Sequence, residues 1–163
     1  MIFRSLALAG GLAGAVATSQ FPEFSQQYLQ RLGGAIDALA EVVADFDASA
    51  SASDLNRAEA LAQMRGTPFL ERRRADMARS IARYERLSTD MVVLQGQGPF
   101  MRAYHAARFT DTEIAKAAWR AYEPAMPLNF AGLIFAATGF VLGAGLSGML
   151  LGMLRAPFRR RQA

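Results

Sequence analysis

Few residues in this chain are of a type that does chemistry, and their spacing does not favour it. His105, inside FMRAYHAARF, is the only histidine. One imidazole cannot build a metal cluster, and no serine or carboxylate near it stands at a spacing that would make it a catalytic base. There is no cysteine, which excludes disulfides, zinc–thiolate sites and thiol nucleophiles. Asp45 with Asp47, and Asp111 with Glu113, read as helix caps or surface carboxylates. The run Arg72-Arg73-Arg74 has the chemistry to meet acidic headgroups or a partner, but as part of a mixed-charge helix it reads as solvated. The sequence has no phosphate-binding glycine loop, no dinucleotide-type glycine pattern, no haem-attachment motif and no internal repeat. No catalytic, metal-binding or cofactor-binding residue is assigned, no cofactor is expected, and the expectation is a non-enzyme.

The basic pI near 10.1 points toward nucleic acid until the charges are located. Between Ser19 and Pro127 there are 13 basic residues against all 14 acidic ones, a net of −1. The other five basic residues, Arg4, Arg155, Arg159, Arg160 and Arg161, flank apolar segments. A nucleic-acid module carries its basic patch on the folded domain. Arginines beside apolar segments set membrane topology and meet lipid headgroups, so no nucleic-acid partner is expected.

From Pro124 to Leu154 there are 31 residues without a charge. The core of this run, from Leu128, has 27 residues and as a helix would reach about 40 Å, beyond the ~30 Å a bilayer core needs. A membrane-spanning helix over roughly 127–155 is predicted, followed by a basic tail over 156–163. The first segment, MIFRSLALAGGLAGAVATSQ, has two readings. Its apolar part, Leu6 to Ala17, has 12 residues, the length of a signal-peptide core, and Ala15-Val16-Ala17 resembles a cleavage site. Retained, residues 1–20 would form a first span. Either way the middle, about 20–127, is expected in the periplasm of a bacterial inner membrane, and in the two-span form both termini are cytoplasmic.

Small residues recur at spacings of four in both segments: Gly10 and Gly14, Gly132 and Ala136, Gly139 and Gly143, Gly148 and Gly152. Such rows let helix backbones approach closely in lipid, so they are predicted as a helix-packing interface. Whether the facing helix is the first segment, a second copy or another membrane protein stays open.

The 21–126 region reads as helical throughout. Phe24, Tyr28, Leu32, Ile36, Leu39, Val43 and Phe46 form one apolar stripe at helical period, predicting a helix from Pro22 to about Asp47, with ASASAS as a break. A short helix follows, with Ser53 or Asp54 as cap and Gly66 just past its end. Thr67 and Pro68 open the longest helix, to about Gln95, with Leu70, Met77, Tyr84 and Met91 every seven residues. Arg72, Arg79, Arg83 and Arg86, against Glu71, Asp76 and Glu85, are expected on its solvated side. The two long helices predict a coiled-coil-like antiparallel hairpin. Thr110-Asp111-Thr112-Glu113 is a capping-box pattern, and Trp119 and Tyr122 precede the span, where interfacial rings belong.

The runs TSQFPEFSQQYLQRLGGAIDALAEVVADFD and TPFLERRRADMARSIARYERL, with the glycine-rich closing span, resemble a proteobacterial family of short two-span inner-membrane proteins classed only as a domain of unknown function. The resemblance covers nearly the whole chain, and QFPEF-x3-YLQRLGG is its most specific part. It implies a retained first segment and carries no activity, cofactor or site residue. The expected fold class is all-α, two transmembrane helices flanking a periplasmic helical hairpin. The expected function is a structural or accessory subunit that sits among membrane lipids and binds a membrane or periplasmic partner. The alternatives are a self-assembling scaffold and, least favoured, a periplasmic ligand-binding or enzymatic domain.

Overall fold

The computed structural model describes residues 2–122 and 129–159, the last six and residue 2 in backbone alone. Among these residues every regular element is helical. The helices are α1 (Ile2–Ser19), α2 (Phe21–Ser51), α3 (Arg57–Gln63), α4 (Pro68–Leu94), α5 (Pro99–Tyr104), α6 (Thr112–Arg120) and α7 (Phe130–Arg159), with one 3-10 turn at Ala106–Arg108. They form two compact units. One comprises Met1–Gln26, Gly98–Ala103 and Tyr122–Ala163; the other comprises Gln27–Gln97 and Tyr104–Ala121. The expected boundary near 126 and 127, with Pro124, Pro127 and Leu128, lies outside the described residues.

In the first unit α1 lies antiparallel along α7. Its register is read from Gly10 against Gly143 and Ser147, Gly14 against Gly139, and Thr18 against Phe135. The segment Phe130–Met153, 24 residues of α7, is long and apolar enough to cross a membrane. Among the described residues it alone is so, and the expectation of two such helices is met for one. α1 is shorter, with 18 residues, and carries Arg4, Ser5, Thr18 and Ser19 at its two ends.

The second unit is built on two long antiparallel helices. Gly33 of α2 lies against Met91 of α4, and further along Leu39 lines a shallow groove with Asp76, Arg79, Ser80 and Arg83. Tyr28, Leu29, Leu32, Val43 and Ala50 of α2 are buried, as are Ile81, Leu87 and Leu94 of α4 and Ile114 and Ala118 of α6. Of the stripe expected for α2, Tyr28, Leu32 and Val43 are buried and Phe24, Ile36, Leu39 and Phe46 half-buried, while Leu29 and Ala50 join the core from outside it.

Three element boundaries differ from expectation. The Ala–Ser run does not stop α2, because alanine favours the helix and the Ser49 hydroxyl is satisfied by donating back to the Asp45 carbonyl at 2.9 Å. The helix continues to Ser51 and closes four residues later. There the Asp54 N–H donates to the Ser51 carbonyl, the Leu55 N–H donates to the Ala50 carbonyl, both at 3.0 Å, and Asp54 has φ 55°. This is a Schellman closure with aspartate at the left-handed position. With Asp54 so used, neither it nor Ser53 caps α3. Asn56 does, accepting from the Glu59 N–H at 2.9 Å while the Glu59 carboxylate accepts from the Asn56 N–H at 2.8 Å. In the same way Asp111, not Thr110, caps α6. Thr67 caps α4 with Pro68 in its first turn, its hydroxyl accepting from the Leu70 N–H at 3.2 Å.

Candidate functional site

The first candidate is the seam between α1 and α7. A Cβ on Gly14 or Gly139 would overlap the facing backbone, Gly139 against Gly14 and the reverse. One on Gly143 would strike the Gly10 carbonyl, and one on Gly11 would come within 2.8 Å of the Phe140 ring. Glycine is required at these positions because backbone meets backbone. The seam ends in a polar contact: the Thr18 hydroxyl donates to the Phe135 carbonyl at 2.6 Å. Away from it, Leu6, Leu8, Leu12 and Val16 of α1 and Leu133, Val141, Leu142, Leu146, Met149 and Leu150 of α7 are exposed. The pair is therefore small inside and bulky apolar outside, the inverse of a helix pair built for water.

Beside Phe135 the chain gathers aromatic rings. Phe100 of α5 stacks on Phe135 with centroids 5.3 Å apart and ring planes at 6°, and Phe21 of α2 approaches the same ring at 5.5 Å. Arg102, two residues from Phe100, donates from Nη1 to the Gln26 side-chain oxygen at 2.8 Å. The Tyr122 hydroxyl is hydrogen-bonded to the Gln20 side chain.

The second candidate is a pair of buried carboxylates in the other unit. Asp111 accepts from the N–H groups of Glu113 and Ile114, each at 3.1 Å, and from Arg83 Nε at 2.9 Å; Arg86 stands at 3.6 Å. The Asp111 N–H in turn donates to the Tyr28 hydroxyl at 3.4 Å. One α4 turn along, the buried Asp90 accepts from the Thr110 hydroxyl at 2.7 Å and from Arg108 at 3.4 Å. Burial works to raise the Asp111 carboxyl, but the Ile114 N–H and the Arg83 guanidinium outweigh it and hold the group below the usual carboxylate range. Burial, with the charges of Asp111 and Asp90 adding to it, pushes the Tyr28 phenol up. Each carboxylate is met by a cation and a cap or hydroxyl, so the network clamps the 104–121 segment onto α2 and α4. Its donors are committed to structure, not poised for proton transfer.

The remaining predicted residues are dispersed. Gly132 is buried, with its N–H donating to the Asn129 side chain at 2.7 Å, and Ala136 is half-buried. Gly148 and Gly152 share the spacing of the seam glycines, but space for a Cβ is open at both. Arg4 is exposed, and the antiparallel register sets it at the same end of the pair as the C-terminus of α7. Arg155 and Arg159 are described in backbone alone, and Arg160 and Arg161 lie outside the described residues. Arg72, Arg73 and Arg74 are exposed. Arg83 is only half-exposed, which corrects its placement on a purely solvated face: it and Arg86 turn toward Asp111. His105 precedes the 3-10 turn, its ring edge-on to Tyr104 at 5.1 Å. Among the described residues no three of the metal-binding types come together. Sequence reasoning missed Tyr28, Asp90 and Thr18 as polar anchors. Only Asp90, a carboxylate at helical spacing between Leu87 and Leu94, left a signal that periodicity offers.

Among the described residues the architecture is all-helical, with one helix long and apolar enough to cross a membrane. Residues 2–160 match the family described as Protein of unknown function (DUF2937), and the chain belongs to that family. No curated protein and no solved structure matches it.

Proposed function

We propose that α1 and α7 cross a bacterial inner membrane as an antiparallel pair, and that the protein is an accessory subunit binding a membrane or periplasmic partner. The observation that carries the reading is the inverted helix pair, with glycine at the contact and leucine, valine and methionine outside. Water would drive those exposed side chains together, whereas acyl chains solvate them and leave backbone packing as the cohesive force. Because α1 is held along α7, its 18 residues, about 27 Å, lie beside a helix that does reach across. Arg4 and the C-terminal turn of α7, with Arg155 and Arg159, share one end of the pair, which by the bias of positive flanks is the cytoplasmic end. The intervening chain, about 20–127, then emerges in the periplasm, where a helical unit whose buried carboxylates are held by caps and ion pairs serves as a contact surface.

Reporters fused after Ala52 and after Ala163 test the topology. Periplasmic activity at Ala52 with cytoplasmic activity at Ala163 is expected, and a cytoplasmic signal at Ala52 would overturn it. Purification in mild detergent tests the accessory role; a protein that always isolates alone as a monomer would defeat it. The open space at Gly148 and Gly152 favours a second reading, self-assembly through that side of α7. Under it, Gly148→Leu abolishes cross-linked oligomers, and unchanged cross-linking would remove it.

A further inference from the structure

Among the described residues, Arg102 is a cation whose surroundings fit its charge poorly. It is half-buried, its Nε is enclosed with no hydrogen-bond partner, and its one side-chain bond goes to an uncharged amide, Gln26. Among the described residues no carboxylate is an ion-pair partner of it, and burial pulls its guanidinium below the usual arginine value. Arg57, Arg79, Arg83, Arg86 and Arg108, by contrast, each meet an aspartate or glutamate. A partly desolvated cation without a counter-charge is costly, so a site of this kind calls for an anion from outside the chain.

Its position says which anion. Phe100 stacks on Phe135, the sixth residue of α7, which lies about 7–8 Å along the helix from Phe130. The 24-residue span is about 36 Å long against a core of ~30 Å, so its first residues extend past the hydrocarbon and Phe135 sits just within it. The α5 turn that reaches this depth exposes Phe100 and Met101, each 45%, directly before Arg102. Two exposed apolar side chains followed by an unpaired arginine, fixed against the edge of a spanning helix, match the layering of acyl chain and phosphate.

We propose that α5 is an interfacial element, with Phe100 and Met101 in the acyl layer and Arg102 bound to the phosphate of an anionic phospholipid headgroup. The proposal rests on the two-span reading. Arginine suits the role because its planar guanidinium stays charged and presents several donors to a phosphate. The Gln26 amide takes one donor of Nη1 and the enclosed Nε is out of reach, so the proposed phosphate contact is made through Nη2.

The full chain, with Trp119→Phe as background, is reconstituted in mixed phosphatidylcholine–phosphatidylglycerol vesicles. It carries a single tryptophan from either Met101→Trp or Leu142→Trp. Quenchers attached near the headgroup should quench position 101 more than quenchers near the chain end, and position 142 should show the opposite order. No quenching at either position would overturn the spanning reading and this one with it; quenching at 142 with none at 101 overturns the placement of α5 alone. Native mass spectrometry then reads phosphatidylglycerol retained by the protein from mild detergent. Arg102→Gln should lower retention about fivefold, and Arg102→Lys, which keeps the charge, should lower it less. Retention unchanged in Arg102→Gln overturns the headgroup assignment. So does an acidic partner protein that co-purifies in place of lipid and is released by the same substitution.

Discussion

Asp54 holds φ 55°, a conformation that costs an L-residue roughly 1–2 kcal/mol and that aspartate tolerates better than most. Glycine would hold it without the Cβ clash, so Asp54→Gly is expected to stabilise the second unit by about 0.5–1 kcal/mol, read as a higher denaturation midpoint. Asp111 has the opposite sensitivity, because it is both a helix cap and the counter-ion of Arg83. Asp111→Ala loses both and should cost about 2–4 kcal/mol, whereas Asp111→Asn keeps an oxygen for the cap and should cost less. The folded carboxyl is held below its unfolded value, so its contribution is complete above the unfolded pKa near 4 and fades as pH falls through the folded one. Urea titrations between neutral pH and pH 3 should show stability falling with acid in the wild type. The fall should be shallower in Asp111→Asn.

At the scale of elements, the α1–α7 seam is the most demanding contact, since backbone faces backbone at Gly10, Gly14, Gly139 and Gly143. Gly14→Leu should force the axes toward the ordinary separation of about 8–10 Å. Spin labels on the outward Leu12→Cys and Leu142→Cys would report a longer and broader distance distribution than in the parent; an unchanged distribution would mean the helices do not meet at Gly14. The parts of this architecture that sequence disclosed are the local ones. Thr67 and Pro68 declare the start of α4 within a single turn, and the uncharged run before Arg155 declares α7. Spacing shows that the pairs Gly139–Gly143 and Gly148–Gly152 lie on opposite faces of α7, nine residues being two and a half turns. It cannot show which of the two faces meets α1, because the partner is more than 100 residues away. Arg83 was legible as a charged position on α4, but its turn toward Asp111, 28 residues on, depends on where α6 is brought back. Asp54 misled because aspartate is a good cap, and its capacity for the left-handed region only matters once the preceding helix has overrun.

For the whole molecule, Arg4 and the α7 positions Arg155 and Arg159 stand at one end of the helix pair, and in the two-span reading that end is held in the cytoplasm. Replacing Arg155, Arg159, Arg160 and Arg161 with glutamine should leave Arg4 as the only positive flank. A reporter after Ala163 should then change from a purely cytoplasmic signal to a mixed one. An unchanged signal would mean that the folded middle segment, and not the tail, decides orientation. The seam also imposes an order in time. Gly10 and Gly143 are separated by 133 residues, so at about 5–20 residues per second α1 leaves the ribosome roughly 7–27 s before its partner exists. Through that interval its glycine groove is open to any helix with a matching small-residue face, and pairing with α7 is a competition the nascent chain enters late.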